Sequence, residues 1–194
     1  MKKLLVSATF AASLLAPAAA QAQAVPPAVV AVVDLDRVTN ECNACKTAAA
    51  GLRSQVTGLQ SREAALAAPL QAEQKSIQAA IDALGGKSPP DAALQARIKA
   101  FQTKQQEGSN EVQRQQTQIQ NNQRYVQQQI ATKLGPIYTQ VMQKRGANVL
   151  VDVSTTLAAS NSVDVTTDVV TALNASLTSL STVAPPEKAQ PQGR

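Results

Sequence analysis

Two cysteines, Cys42 and Cys45 in the string CNAC, are the residues of this chain whose type and spacing could do covalent or metal chemistry. The 194 residues contain no histidine and no third cysteine. A four-ligand zinc site is therefore beyond a single copy, and the side chain that most often serves as a general base is missing. No metal and no cofactor are expected. A redox CxxC pair belongs to a thioredoxin-like strand and helix. A strand does precede this pair, but the long heptad pattern that follows is unlike that fold. A disulfide within the first helical turn is the expected pairing, a small staple because so short a loop contributes little entropy. Pairing between subunits is its competitor. With aromatics at 2% there is little material for an enclosed apolar pocket, so the composition argues against an enzyme.

The remaining chemistry is charge. The chain carries 18 Lys and Arg against 13 Asp and Glu, a formal +5. Residues 52–145 hold twelve basic against six acidic groups, so the excess is concentrated there. A basic helical surface suggests nucleic acid in a protein that stays in the cytoplasm. The N-terminus points elsewhere. Lys2 and Lys3 precede an uncharged run from Leu4 to Leu15, too short to span a bilayer, and Ala-x-Ala spacings follow at Ala18–Ala24. Residues 1–24 are read as a cleavable secretory signal, with an uncleaved anchor as the alternative. An exported basic surface excludes nucleic acid and fits anionic lipid headgroups, lipopolysaccharide or acidic polypeptides.

The elements that must position this surface follow from apolar spacing. Leu52, Val56, Leu59, Leu66, Leu70, Ile77 and Leu84 form one heptad run, and Leu94, Ile98, Phe101, Val112, Ile119 and Val126 form a second. The breaker GGKSPPD at 85–91 separates them. The pattern predicts a helical hairpin arm over 40–145, starting near Thr39 or Asn40, with a second helix starting at Ser88. Pro69 and the Gly135–Pro136 pair fall inside these helices, where a bend is expected. Gln105, Gly108 and Gln115 occupy seam positions and should leave the outer arm loosely packed. From Val126 the steps run Ile130, Leu134, Ile137 and Val141, an inserted four-residue step that marks where the helix begins to pack on a body.

VVAVVD at 29–34 reads as a strand within a 25–39 body segment, and NVLVDV at 148–153 as its partner. Residues 146–182 supply that second strand and a short helix on Val169, Val170, Leu173, Leu177 and Leu180. Residues 183–194 are expected to be a disordered tail. A two-stranded element is marginal in water. Val30, Val32, Val149, Val151 and Val153 are therefore expected to pair with neighbouring copies. The fold class is mainly α, a long antiparallel two-helix coiled-coil arm projecting from a small β-rich oligomerisation body.

VVAVVDLDRV at 29–38, the polar hairpin, RGANVLVDV at 145–153 and NSVDVTTDVVTALN at 161–174 resemble, in order and spacing, the Skp/OmpH family of periplasmic chaperones. The resemblance implies a homotrimer whose arms enclose a cavity and hold unfolded outer-membrane proteins without ATP. Under it, the outer-arm basic residues Lys75, Lys87, Arg97, Lys99, Lys104 and Arg114 are the candidate client contacts. The CNAC pair is not part of that family's pattern. A second reading is an exported coiled-coil scaffold or envelope tether resting on anionic lipid.

Overall fold

The computed structural model describes residues 25–86 and 88–186. The signal segment expected at 1–24 and residues 187–194 of the expected tail lie outside the described residues, as does Lys87. Strand β1 (Val30–Val33) leads through α1 (Leu35–Glu41) into α2 (Asn43–Ala83). The chain returns along α3 (Ala92–Arg145) to β2 (Val149–Asp152), and two short 3-10 turns precede α4 (Thr166–Ser176).

Helix starts are set by side chains that satisfy free N–H groups. Asp34 accepts from Arg37 N at 2.8 Å, so α1 begins before the Thr39–Asn40 start that the apolar pattern suggested. The chain then breaks at Cys42, whose extended backbone ends α1 and whose Sγ accepts from Cys45 N at 3.2 Å to start α2. Asn174 of α4 bridges this elbow: its Oδ1 accepts from Asn43 N at 2.8 Å and its amide nitrogen reaches the Glu41 carbonyl at 3.4 Å. At the tip, Asp91 rather than Ser88 is the cap, accepting from Leu94 N at 2.7 Å, and Pro89 and Pro90 lie outside the helix. Gly85 and Gly86 end α2 and Gly146 ends α3, all at positive φ, where a Cβ would be strained. Both long helices continue through their internal prolines, Pro69 and Pro136.

At about 1.5 Å per residue, the 41 residues of α2 and the 54 of α3 extend roughly 60 and 80 Å. Contacts between them join Arg62 to Glu111, Glu73 to Arg97 and Gln55 to Asn122, so the two run side by side in opposite directions. The seam is thin. Leu59, Ile77, Leu94 and Val126 are buried, whereas Val56, placed in the seam by spacing, is exposed.

β1 and β2 are parallel, with Val30 opposite Val149 and Val33 opposite Asp152. A helix out and a helix back is the crossover that a parallel pair requires. Asn148 fixes the entry to the pairing, accepting from Val29 N at 2.7 Å and donating to the Pro27 carbonyl at 2.8 Å. The other edge of β1 is closed by Val165 N, which donates to the Val32 carbonyl at 2.9 Å, and by Thr166 Oγ1, which accepts from Asp34 N at 2.9 Å. Below the sheet lies the core: Ala31, Val33, Val38, Val169 and Leu173 pack with Leu134, Ile137 and Val141. The inserted step in the α3 pattern therefore marks the stretch that leaves the seam and enters this core. α4 ends at Ser176, short of the Leu180 that the apolar spacing reached, and Leu177 and Leu180 still pack against the core from an extended segment.

Two measurements test this account. Leu173 is fully buried, so Leu173→Ala should cost about 2–5 kcal/mol in urea unfolding, whereas Asn174→Ala, which loses the elbow caps, should cost about 1 kcal/mol. Asp168 is ion-paired to Arg145 at 2.6 Å and Lys144 at 3.4 Å, and the hydrogen bond from Arg145 holds its carboxyl below the usual carboxylate range. A carboxyl depressed in the folded state favours folding above its unfolded value, about 3.9, and that contribution disappears as pH falls through the folded value. Tm should therefore drop below about pH 4, and Asp168→Asn should flatten that drop.

Candidate functional site

Between the two long helices the seam opens into a cleft near the middle of the arm. Where Gly108 faces Leu66, a Cβ added to the glycine would meet only the Leu66 Cδ1, at 4.0 Å. Pro69, on the same stretch, offers no N–H to its own helix. The result is a cleft of about 670 Å³ with Leu66, Leu70 and Phe101 on its floor and Lys104 and Glu107 on its rim. An ion pair closes each end. Arg62 grips Glu111 through Nε at 2.7 Å and a terminal nitrogen at 3.1 Å, and Arg97 holds Glu73 at 2.9 Å and Ser76 Oγ at 2.9 Å. The hydrogen bond from Arg62 pulls the Glu111 carboxyl below its ordinary range. Both pairs are substantially exposed, so their contribution is geometric more than energetic.

The outer basic residues divide on this frame. Lys104 lies on the cleft rim and Arg97 is held in its end pair. Lys75, Lys99 and Arg114 are exposed, and none of the ion pairs among the described residues includes them. The structure thus brings two of the six named residues to one place and leaves three spread along the arm.

Cys42 and Cys45 are joined as a disulfide with Cα atoms 5.2 Å apart, both buried in the core under the elbow. Their burial leaves no opening for a substrate. In the sheet, Val30 and Val149 are 43% and 38% exposed, whereas Val32 is buried and Val151 half-buried; Val153, expected in the second strand, lies past its end in a 3-10 turn because the chain turns where Asp152 accepts from Ser154 N, and it is 39% exposed. Among the described residues nothing pairs with the outer edge of β2.

A polar group that spacing could locate but not interpret lies nearer the body. Asn122, three residues after Ile119 and four before Val126, is a seam residue only 4% exposed. Its Nδ2 donates to Gln55 Oε1 at 2.8 Å, and its Oδ1 accepts from Gln118 Nε2 at 2.9 Å and from Ala184 N at 2.8 Å. Asn122 therefore ties both helices to the segment after α4. The part of the expected tail up to Ala184 is held on the helix pair rather than free. Sequence spacing could not show this, because the groups being held are main-chain atoms.

Among the described residues there is no helix long and apolar enough to cross a membrane and no cluster of His, Cys, Asp or Glu suited to a metal. No curated protein sequence matches the chain significantly. A crystal structure from Caulobacter crescentus CB15, of a protein assigned as an OmpH-like outer membrane chaperone, superposes with a TM-score of 0.67 at 22% identity, covering 80% of this chain and 90% of that one. At that identity the likeness speaks for the fold. The sequence profile of the outer membrane protein (OmpH-like) family matches residues 29–173, from the start of β1 into α4, and the chain belongs to that family.

Proposed function

We propose that this chain is an ATP-independent periplasmic holdase, exported by a cleavable signal at 1–24, that keeps unfolded outer-membrane proteins soluble between helical arms. The observation that carries the reading is a helix pair with a polar, basic surface and an open cleft between the helices. Such a surface makes many weak contacts, and their sum retains a flexible chain through effective concentration without selecting one sequence. Lys75, Lys99, Lys104 and Arg114 supply the electrostatic part. Arg97 joins them only when its pair with Glu73 opens, and Lys87 is assigned with them by its charge and its sequence position alone. Contact with anionic lipid or lipopolysaccharide would use the same residues.

Trimerisation is part of the proposal. The sheet has two short strands, Val30 and Val149 are 43% and 38% exposed on it, and among the described residues nothing pairs with the outer edge of β2. Neighbouring copies around a three-fold axis would cover both and aim the coiled-coil arms the same way. The copy number three comes from the family resemblance. The role is one of binding, with no reaction and no cofactor.

Dilution of a urea-unfolded outer-membrane β-barrel into the mature protein at modest excess, without nucleotide, should suppress light scattering. Unchanged aggregation would favour the scaffold or tether reading. Multi-angle scattering should give three times the chain mass, and Val149→Asp should shift it towards the monomer. Replacing Lys75, Lys99, Lys104 and Arg114 together by Gln should weaken client binding several-fold at low salt. That difference should vanish near 1 M salt, where the screening length falls to about 3 Å.

A further inference from the structure

Beyond α4 the chain leaves regular structure, yet it stays on the arm. Leu177 and Leu180 anchor it to the core, and from Ser181 onward large side chains no longer do so: Val183 is 63% exposed. What holds this strap is amide side chains. Gln129 grips both main-chain groups of one residue, donating to the Ser181 carbonyl at 2.9 Å and accepting from Ser181 N at 3.1 Å, as a neighbouring strand would. Gln55 Nε2 donates to the Thr182 carbonyl at 2.9 Å, and Asn122 Oδ1 accepts from Ala184 N at 2.8 Å. Every group read here belongs to the backbone.

We propose that the α2–α3 groove lined by Gln55, Asn122 and Gln129 is a backbone-reading site for extended polypeptide, filled in cis by residues 181–184 and opened to a segment of an unfolded chain when this strap lifts. The proposal rests on the holdase reading and locates one of its contact sites. Main-chain groups are the same in every sequence, so amides that recognise Ser181, Thr182 and Ala184 recognise any extended segment of the same shape. Release leaves the groove satisfied. Without the strap, Asn122 Oδ1 still accepts from Gln118 and its Nδ2 still donates to Gln55, so its buried amide keeps partners on both sides. The tethered strap has an effective concentration in the millimolar range. A short peptide therefore competes poorly. A long unfolded chain, which brings further weak contacts along the arm, displaces it.

The structure also supplies a lock. A Cβ built on Gly51 lies 3.9 Å from the Thr182 Cβ, within the roughly 3.5–4.5 Å span of disulfides. Its tightest neighbour, Thr182 Cγ2 at 3.3 Å, is the methyl that Thr182→Cys removes. The full mature chain carrying Gly51→Cys and Thr182→Cys, with the pairing confirmed by peptide mass, should bind a urea-diluted outer-membrane β-barrel about tenfold more weakly when oxidised than either single variant does. In the wild type, the same client should speed hydrogen exchange at the Ser181 and Ala184 amides. Equal binding by locked and single-variant proteins, or exchange unmoved by client, would overturn the site while leaving the holdase reading in place.

A trans peptide covering Leu177–Pro186 separates the two ideas without any client. At about 10 mM it should raise strap exchange, a version with residues 177–184 scrambled and Pro185 and Pro186 kept in place should do the same, and methylation of its Ser181 and Ala184 nitrogens should abolish the effect. That pattern, in a chain that fails to suppress aggregation, would sink the holdase reading and keep the site. Loss of the effect on scrambling would sink the site.

Discussion

A small apolar knot holds the molecule together: Val38, Val169 and Leu173, each fully buried, where α1, α4, the sheet and the lower part of α3 converge. Both strands and the elbow are fastened to it. Outside it, the helix pair has only a narrow seam, and fully burying one Leu or Val side chain contributes about 1.5–3 kcal/mol. Stability is therefore concentrated at one end of the chain's long axis. A protein built this way can leave most of its helical surface polar without losing its fold.

Amides do the work along the seam that apolar residues do in the body. Asn122 is buried where a leucine would pack more favourably, but a leucine could not hold Gln55 and the Ala184 N–H together. A polar group in such a position costs stability when any partner is missing and specifies one arrangement when all are present. Asn174 does the same at the elbow, where its amide joins the end of α1 to the start of α2. Three loosely coupled parts are thereby fixed in one relative position by hydrogen bonds rather than by area.

Much of the helix pattern was legible from spacing because heptad periodicity records burial directly. Leu59, Ile77, Leu94 and Val126 are buried, and the inserted step at Ile130–Val141 does mark entry into the core. The ends were less legible. Ser88 and Thr39 are plausible caps by residue type, but Asp91 and Asp34 have the geometry, and α1 is too short for periodicity to announce it. Family membership followed from the order of strand, hairpin, strand and helix rather than from any single motif. The strap was invisible for a physical reason: residues 181–184 are held through backbone atoms, which leave no trace in side-chain type.

The pairing of Val30 with Val149 joins points 119 residues apart. In a chain emerging N-terminus first, β1 must wait for the whole hairpin before it meets its mate, and a bare valine strand invites misassembly meanwhile. Helix zippering from the tip resolves the delay, because it needs only neighbouring residues and shortens the loop before the long-range closure is attempted. Each turn of helix zipped from the tip therefore shortens the loop that the strand pairing has left to close.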